Sequence, residues 1–133
     1  MISRLHSAAF YGIEGLPVEV EVDVAHRGFA GTAVVGLPDA AVKESIERVR
    51  SALANSGYQF PRYKTVINLA PADLRKEGPA FDLPLALGLI VANGEIDGPL
   101  TGQDMVAGEL ALDGRLRPIK GALAMAMLAR ARR

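Results

Sequence analysis

Hydrophobic and polar residues alternate almost strictly from Leu16 to Ala25. Valines occupy one side of this segment and acidic residues the other: Val18, Val20, Val22 and Val24 against Glu19, Glu21 and Asp23. A period of two residues is typical of a β-strand with one buried and one solvated face. We therefore predict a strand over residues 16–25, preceded by a strand over residues 3–11 that ends at a turn between Gly12 and Gly15.

Two further strands are predicted in the first half of the chain. The segment Thr32–Val35 follows a turn bracketed by glycines, which favours a hairpin with the strand before it. Tyr63–Leu69 is the next strand, and the adjacent apolar residues Val66 and Ile67 indicate that both of its faces are covered.

A second hairpin is predicted near the end of the chain. The strands Met105–Leu110 and Arg115–Arg117 flank Asp113-Gly114, a dipeptide typical of tight hairpin turns. Residues Asn93–Gly102, rich in Gly, Asp and Pro, are predicted to form a loop.

Three helices are predicted from apolar positions that recur every three or four residues. The first runs over Asp39–Asn55 behind Pro38, with one apolar stripe formed by Val42, Ile46, Val49 and Leu53. The second, Phe81–Ala92, is apolar on all sides, which predicts a buried position. The third begins near Lys120, with Leu123, Met127 and Leu128 on one side, and is still running at Arg133.

These elements predict a single α+β domain over residues 1–133, with helices packed against one face of a mixed sheet. No Gly or Pro stop signal follows the last helix. We therefore expect the chain to be part of a longer protein.

Composition narrows the functional classes. The chain has 133 residues, half of them hydrophobic, with 15 basic and 15 acidic residues, so its formal net charge is zero. A domain whose main task is to grip nucleic acid usually carries a basic excess. Cysteine is absent, and neither a signal peptide nor a membrane-spanning run is apparent, which favours a cytoplasmic protein.

The sequence contains no recognisable metal or nucleotide site. His6 and His26 are twenty residues apart, without carboxylates at ligand spacing around either. Neither a Gly-x-x-x-x-Gly-Lys-Ser/Thr loop nor a Gly-x-Ser-x-Gly nucleophile motif is present. We therefore expect that this domain binds no cofactor and no metal.

The Gly78-Pro79-Ala80 turn precedes the second helix. Backbone N–H groups and the helix dipole at such a position favour a developing anion, so a nucleophilic hydroxyl would fit there. The residue is alanine, which carries no nucleophile.

Three charged residues flank this turn: Lys76, Glu77 and Asp82. Asp82 lies in the first turn of its helix, where a carboxylate commonly satisfies free N–H groups. The alternative is that the three side chains form a polar contact with a neighbouring domain or subunit.

The chain resembles the N-terminal domain of the ComM/YifB family, also called magnesium-chelatase-like or ChlI-type proteins. The matching segments occur in order along nearly the whole sequence: Gly15-Leu16-Pro17-Val18, Val35-Gly36-Leu37-Pro38-Asp39, Ala41-Val42-Lys43-Glu44, Glu47-Arg48-Val49-Arg50-Ser51-Ala52-Leu53, Asn68-Leu69-Ala70-Pro71-Ala72-Asp73-Leu74, Lys76-Glu77-Gly78, Phe81-Asp82-Leu83-Pro84, Gly108-Glu109-Leu110 and Leu112-Asp113-Gly114.

The resemblance implies a fold similar to the Lon proteolytic domain, of the ribosomal protein S-five domain 2-like type. Lon uses a serine after the Gly-Pro turn and a lysine one helix later as its base, and such a pair needs both groups. The serine position falls on Ala80 and the lysine position on Leu123, with Lys120 three residues earlier. The resemblance therefore implies the fold without proteolysis.

The resemblance also implies a following AAA+ ATPase module that binds ATP and Mg, and a hexameric motor that promotes DNA branch migration during natural transformation. No porphyrin chemistry follows from the chelatase label. This domain would then be a non-catalytic structural or interaction domain, contacting its own AAA+ module and neighbouring subunits. Two alternatives remain: an unconventional peptidase that uses Lys120 with a serine elsewhere, and a domain that contacts DNA directly.

Overall fold

The computed structural model of the chain describes residues 1–96 and 104–132. Its main sheet begins with an antiparallel hairpin of β1 (Ile2–Tyr11) and β2 (Glu14–Val24), in which Leu5 lies opposite Val20. The valines of β2 are buried, whereas Glu19 and Glu21 are only half-buried. The alternation therefore predicted this strand and its buried face correctly.

The predicted hairpin between β2 and β3 (Thr32–Val35) is wrong. β4 (Thr65–Ala70) lies between them, so the strand order is β1-β2-β4-β3, and β3 pairs with β4 in parallel. β4 pairs with β2 over six residues, Glu19 to Val24. On β4, Ile67 is buried and Val66 half-buried, so one face is fully covered and the other only partly.

Two helices form the core with the valine face of the sheet. α1 (Ala40–Asn55) begins one residue later than predicted because Asp39 is its N-cap and accepts the N–H of Val42 at 2.8 Å. α2 (Asp82–Ala92) follows a short 3₁₀ turn, Pro79–Phe81, and is largely buried, as predicted. It approaches the sheet so closely that a Cβ at position 88 would lie 2.8 Å from Val22 Cγ2.

The third helix, α3 (Ala122–Ala131), lies against the other face of the sheet, which corrects the prediction that all helices pack on one face. Phe10 and Gly15 are paired across β1 and β2, on the side opposite Val18. A Cβ at Gly15 would lie 3.3 Å from the carbonyl oxygen of Ala124, and one at Gly121 would lie 3.0 Å from the Phe10 ring. Gly15, which has no side chain, and the ring of Phe10 thus form an apolar surface on which α3 packs, on a face of the sheet that is otherwise largely polar.

The second predicted hairpin is present but shorter. β5 (Glu109–Leu110) pairs with β6 (Leu116–Arg117) around the Asp113-Gly114 turn, while Met105 makes only a single parallel bridge with His6. Of the predicted loop over residues 93–102, the part from residue 97 lies outside the described residues, as does Arg133.

The fold is thus α+β, with a mixed four-stranded sheet, a two-stranded sheet and three α-helices among the described residues. None of those helices combines the length and the hydropathy that a membrane-spanning helix requires.

Candidate functional site

A cleft of about 660 Å³ lies at the turn that precedes α2. It is lined by the end of β1, the start of α1, the Gly78-Pro79-Ala80 turn and the segment before α3: Ala8, Ala9, Phe10, Asp39, Arg75, Glu77, Gly78, Pro79, Ala80, Glu109, Pro118, Ile119 and Lys120. The sequence feature that suggested a site is therefore part of the wall of a cavity.

Asp39 connects two walls of this cleft. One carboxylate oxygen caps α1, and the other accepts the backbone N–H of Gly78 at 3.3 Å. Gly78 has φ of 84°, in the left-handed region that favours glycine, so the chain turns sharply into Pro79. Asp39 thereby fixes the turn relative to the start of α1.

Ala80 lies within the 3₁₀ turn, immediately before α2. Its carbonyl oxygen accepts the N–H of Gly108 at 2.9 Å, and the Gly108 carbonyl accepts the N–H of Leu83 at 3.0 Å. These two bonds hold the start of α2 against the segment that leads into β5.

The described lining residues include neither a serine, a threonine, a cysteine nor a histidine. Lys120 lies in the lining, whereas Leu123 is 76% exposed on α3 and is absent from it. Ser45 is fully buried on α1, where its hydroxyl donates to the Ala41 carbonyl at 3.3 Å. The structure thus brings Ala80 and Lys120 to one cleft and leaves Leu123 outside its lining.

The cleft carries charges of both signs. Glu77 pairs with Arg75 at 3.3 Å, and both side chains are about two-thirds exposed. Glu109 lies 3.9 Å from Arg117. Such exposed pairs stabilise a fold very little.

Asp82 does not cap its own helix. Its side chain is fully buried and accepts hydrogen bonds from Arg48 at 2.8 and 3.1 Å, and from the backbone N–H of Leu110 at 3.0 Å. The hydrogen bond to Asp82 raises the pKa of Arg48 above its usual value, although burial opposes this. This two-pronged ion pair ties α1, α2 and β5 together.

Lys76 is also fully buried. Its ammonium donates to the carbonyl of Pro71, and its backbone bridges to the strand-like segment at Pro38. Burial lowers the pKa of Lys76, and the negative charge of Asp73 opposes that effect. Of the three residues suggested for an interface, Glu77 is therefore the exposed one.

The pairing of Arg48 with Asp82 was missed at the level of the sequence. A signal was present, since Asp82 begins a helix that is otherwise apolar, and a buried carboxylate requires a charged partner. The partner is 34 residues away, and its identity depends on how α1 packs on α2.

Candidate metal ligands do not gather in the part of the chain that the structure describes. No group of three or more His, Asp or Glu side chains there is arranged to hold an ion. The absence of a metal site in the domain stays a prediction.

The sequence of this chain is similar to one known protein family and to several bacterial proteins. The family described as subunit ChlI of Mg-chelatase matches residues 20–133. The uncharacterized protein YifB of Escherichia coli K12 is 45% identical over 125 residues, which is 94% of this chain and 24% of that protein. The competence protein ComM of Haemophilus influenzae is 41% identical over 122 residues, 92% of this chain and 24% of that protein.

A mycobacterial relative extends this set. An uncharacterized protein of Mycobacterium tuberculosis H37Rv is 38% identical over 129 residues, 97% of this chain and 25% of that protein. The chain therefore spans about a quarter of the length of the curated relatives it matches. The family match and these relatives show that the chain belongs to the ChlI family of Mg-chelatase-type proteins, within the ComM/YifB group.

Proposed function

We propose that this chain is a non-catalytic structural and interaction domain at the N-terminus of a longer ATP-hydrolysing protein. The relatives are about four times as long as the segment they share with it, as their coverage of 24–25% indicates. In this proposal ATP and Mg bind to an AAA+ module outside the chain, and the domain supports that module in a cytoplasmic hexamer.

The observation that carries the proposal is the composition of the cleft. A Gly-Pro turn at the start of a buried helix forms part of its wall, and Ala80 lies in that turn, where the resemblance to Lon would place the nucleophilic serine. A lysine without a neighbouring hydroxyl has no proton to accept, so covalent catalysis by a Ser-Lys pair has no starting group. The degenerate pair Ala80 and Leu123 therefore supports a role through shape and contacts.

The relative named as a competence protein suggests the process. We propose that the longer protein moves branched DNA during natural transformation, with the energy of ATP hydrolysis supplied by the missing module. The fold type that we propose for the domain is that of the Lon proteolytic domain.

A serine-reactive fluorophosphonate tests the non-catalytic role directly. The wild-type chain is incubated with the probe and, separately, with an unfolded protein substrate. We expect no labelled serine and no hydrolysis. Labelling of one serine that is lost on heat denaturation of the chain would contradict the proposal.

A second candidate, an unconventional peptidase, is favoured by one observation, the presence of Lys120 in the cleft lining. The substitution Ala80→Ser returns the missing hydroxyl to the cleft, and Ala80→Ser/Lys120→Met removes the only base of this type there among the described lining residues. Labelling of A80S that disappears in the double variant would show that the cleft retains a usable geometry. Hydrolysis by the unsubstituted chain would support the peptidase itself.

The motor part of the proposal is tested on the gene. The codons after Arg133 are expected to encode a Gly-x-x-x-x-Gly-Lys-Ser/Thr loop, and a stop codon there would contradict it. In the full-length protein, deletion of residues 1–133 is expected to impair branch migration, measured on a synthetic four-way junction, more than Ala80→Ser does.

A further inference from the structure

Two loops lie side by side at the end of the sheet remote from the cleft. Residues 25–31 connect β2 with β3 and therefore pass over the start of β4, where residues 61–64 enter the sheet. The N–H of Ala25 donates to the Lys64 carbonyl at 3.0 Å, and that of Thr65 donates to the Gly31 carbonyl at 2.8 Å. These backbone bonds fix the two loops to each other.

Three exposed cations are carried by these loops: Arg27, Arg62 and Lys64. None of them belongs to an ion pair among residues 1–96 and 104–132, whereas six other arginines of that part of the chain do. Cations without a carboxylate partner keep their full charge available to an anion in solvent.

Exposed aromatic rings accompany these cations. Phe29 is 93% exposed and Tyr63 is 39% exposed, each within two residues of a cation of its own loop. A hollow of about 300 Å³ opens beside Tyr63 and is also lined by His26 and Asn93. An almost fully exposed phenylalanine costs solvation free energy and adds no packing to the fold.

We infer that these two loops form a binding site for single-stranded nucleic acid. Arg27, Arg62 and Lys64 would neutralise phosphates, while Phe29 and Tyr63 would provide faces on which bases stack. Single strands are bound in this way because every base has a π-face and every nucleotide a phosphate. The site goes beyond the proposed function, since it requires neither ATP nor the missing module.

Two acidic residues near these loops limit the strength of the site. Asp23 is exposed two residues before the first loop, and the carboxylate of Glu95 accepts the N–H of Gln59 at 3.1 Å. A net charge of zero for the whole chain therefore coexists with a local excess of cations. We expect weak binding. If three phosphates are neutralised, the logarithm of the binding constant falls with the logarithm of the salt concentration with a slope of about −2.

The test measures fluorescence anisotropy of labelled oligo(dT) and oligo(U) with the 133-residue chain, without ATP, between 0.02 and 0.2 M salt. Arg27→Ala/Arg62→Ala/Lys64→Ala is expected to weaken binding at least tenfold at low salt and to bring the salt slope close to zero. Phe29→Ala is expected to weaken binding about fivefold or more with the slope unchanged, because stacking carries no charge. Phe29→Tyr is expected to retain the affinity.

A matched control removes the same charge elsewhere. Lys43→Ala/Arg75→Ala/Arg130→Ala, at the cleft end of the molecule, also lowers the net charge by three, and we expect it to retain the affinity at 0.1 M salt and above, where distant charges are screened. Circular dichroism and thermal unfolding verify that each variant is folded. Binding of either oligonucleotide that follows this pattern supports the site.

Three results would overturn the inference. One is that the control variant loses as much affinity for the oligonucleotides as the loop variant does. Another is that the chain binds a duplex of the same length as tightly as it binds the single strands. The third is loop-dependent binding to vesicles of anionic phospholipid without binding to either oligonucleotide. None of these outcomes bears on ATP hydrolysis, so the proposed function would stand or fall separately.

Discussion

Two buried charges near the cleft, Asp82 and Lys76, are held in different ways. Asp82 receives three hydrogen bonds, two of them from Arg48, and is therefore fully compensated. Lys76 has the carbonyl of Pro71 as its hydrogen-bond partner and Asp73 as a charge that favours the ammonium. The carboxylate of Asp82 thus has a charged partner within hydrogen-bond distance, whereas the charge of Asp73 only partly offsets the desolvation of the Lys76 ammonium.

Replacement of Asp82 by alanine is expected to destabilise the chain by about 3–5 kcal/mol, because it leaves Arg48 and the Leu110 N–H without their partner. Urea unfolding followed by circular dichroism measures the change. Glu77→Ala, which removes an exposed carboxylate from the same region, is the control and should change stability by less than about 0.5 kcal/mol. Equal effects of the two substitutions would show that the buried pair is not stabilising.

Lys76 predicts a pH dependence with a definite sign. Its folded-state pKa is below the ordinary value of 10.5, so between these two values the unfolded chain binds more protons than the folded chain. Stability of the wild type relative to Lys76→Met should therefore rise with pH over that window and be constant below it. The free energy of unfolding of both proteins in urea, from pH 7 to 10.5, checks this, and a difference that is constant throughout would contradict it.

At the scale of elements, the sequence predicted the strands and helices that depend on local patterns, but it missed the position of β4 in the sheet. The alternation in β2 and the apolar stripe of α1 are local, so both elements and their buried faces followed from their own residues. The neighbour of β3 did not, because β4 is thirty residues later in the chain and takes the place next to β2. The seven-residue connection between β2 and β3 contains glycines that favour a turn. Its local sequence pattern is the same whether the two strands pair directly or a third strand lies between them.

For the cleft too, one part could be predicted from local sequence and another part depends on tertiary packing. Ala80 at the start of a helix was evident from Gly78-Pro79 and the apolar run that follows. Lys120 and Leu123 differ by three residues, and which of them faces the cleft depends on where α3 begins and on which face of the sheet it packs. That packing depends on Gly15 and Phe10, more than a hundred residues earlier along the chain.

Gly36, which follows the last residue of β3, lies very close to the backbone of β4. Gly36 has φ of 104°, and a Cβ there would lie 2.0 Å from the Leu69 carbonyl oxygen. We expect Gly36→Ala to destabilise the chain by more than about 3 kcal/mol, since backbone strain and a backbone overlap add. Gly57→Ala has a similar positive φ of 87° with nothing within 4 Å, and is expected to cost only about 1–2 kcal/mol. Similar unfolding midpoints for the two variants would contradict the close approach.

At the scale of the whole molecule, the cleft and the two loops lie at opposite ends of the β1–β2 hairpin. The cleft is lined by Phe10, whose partner on β2 is Gly15, whereas the loops adjoin Val24. Nine residues of extended strand separate these ends by about 30 Å. A formal charge of zero for the chain thus says little about either end alone.

This separation predicts how a distant charge affects binding to the loops. Arg130 is on α3, at the Gly15 end, and Arg130→Ala changes the net charge by as much as Arg27→Ala does. The Debye length is about 10 Å at 0.1 M salt and about 30 Å at 0.01 M. At 0.1 M, Arg27→Ala should therefore weaken oligo(dT) binding while Arg130→Ala does not, and at 0.01 M both should weaken it. Anisotropy titrations of the two variants at both salt concentrations measure this. Equal weakening by both at 0.1 M would mean that the affinity follows the charge of the whole molecule, and would rule out a local site at the loops.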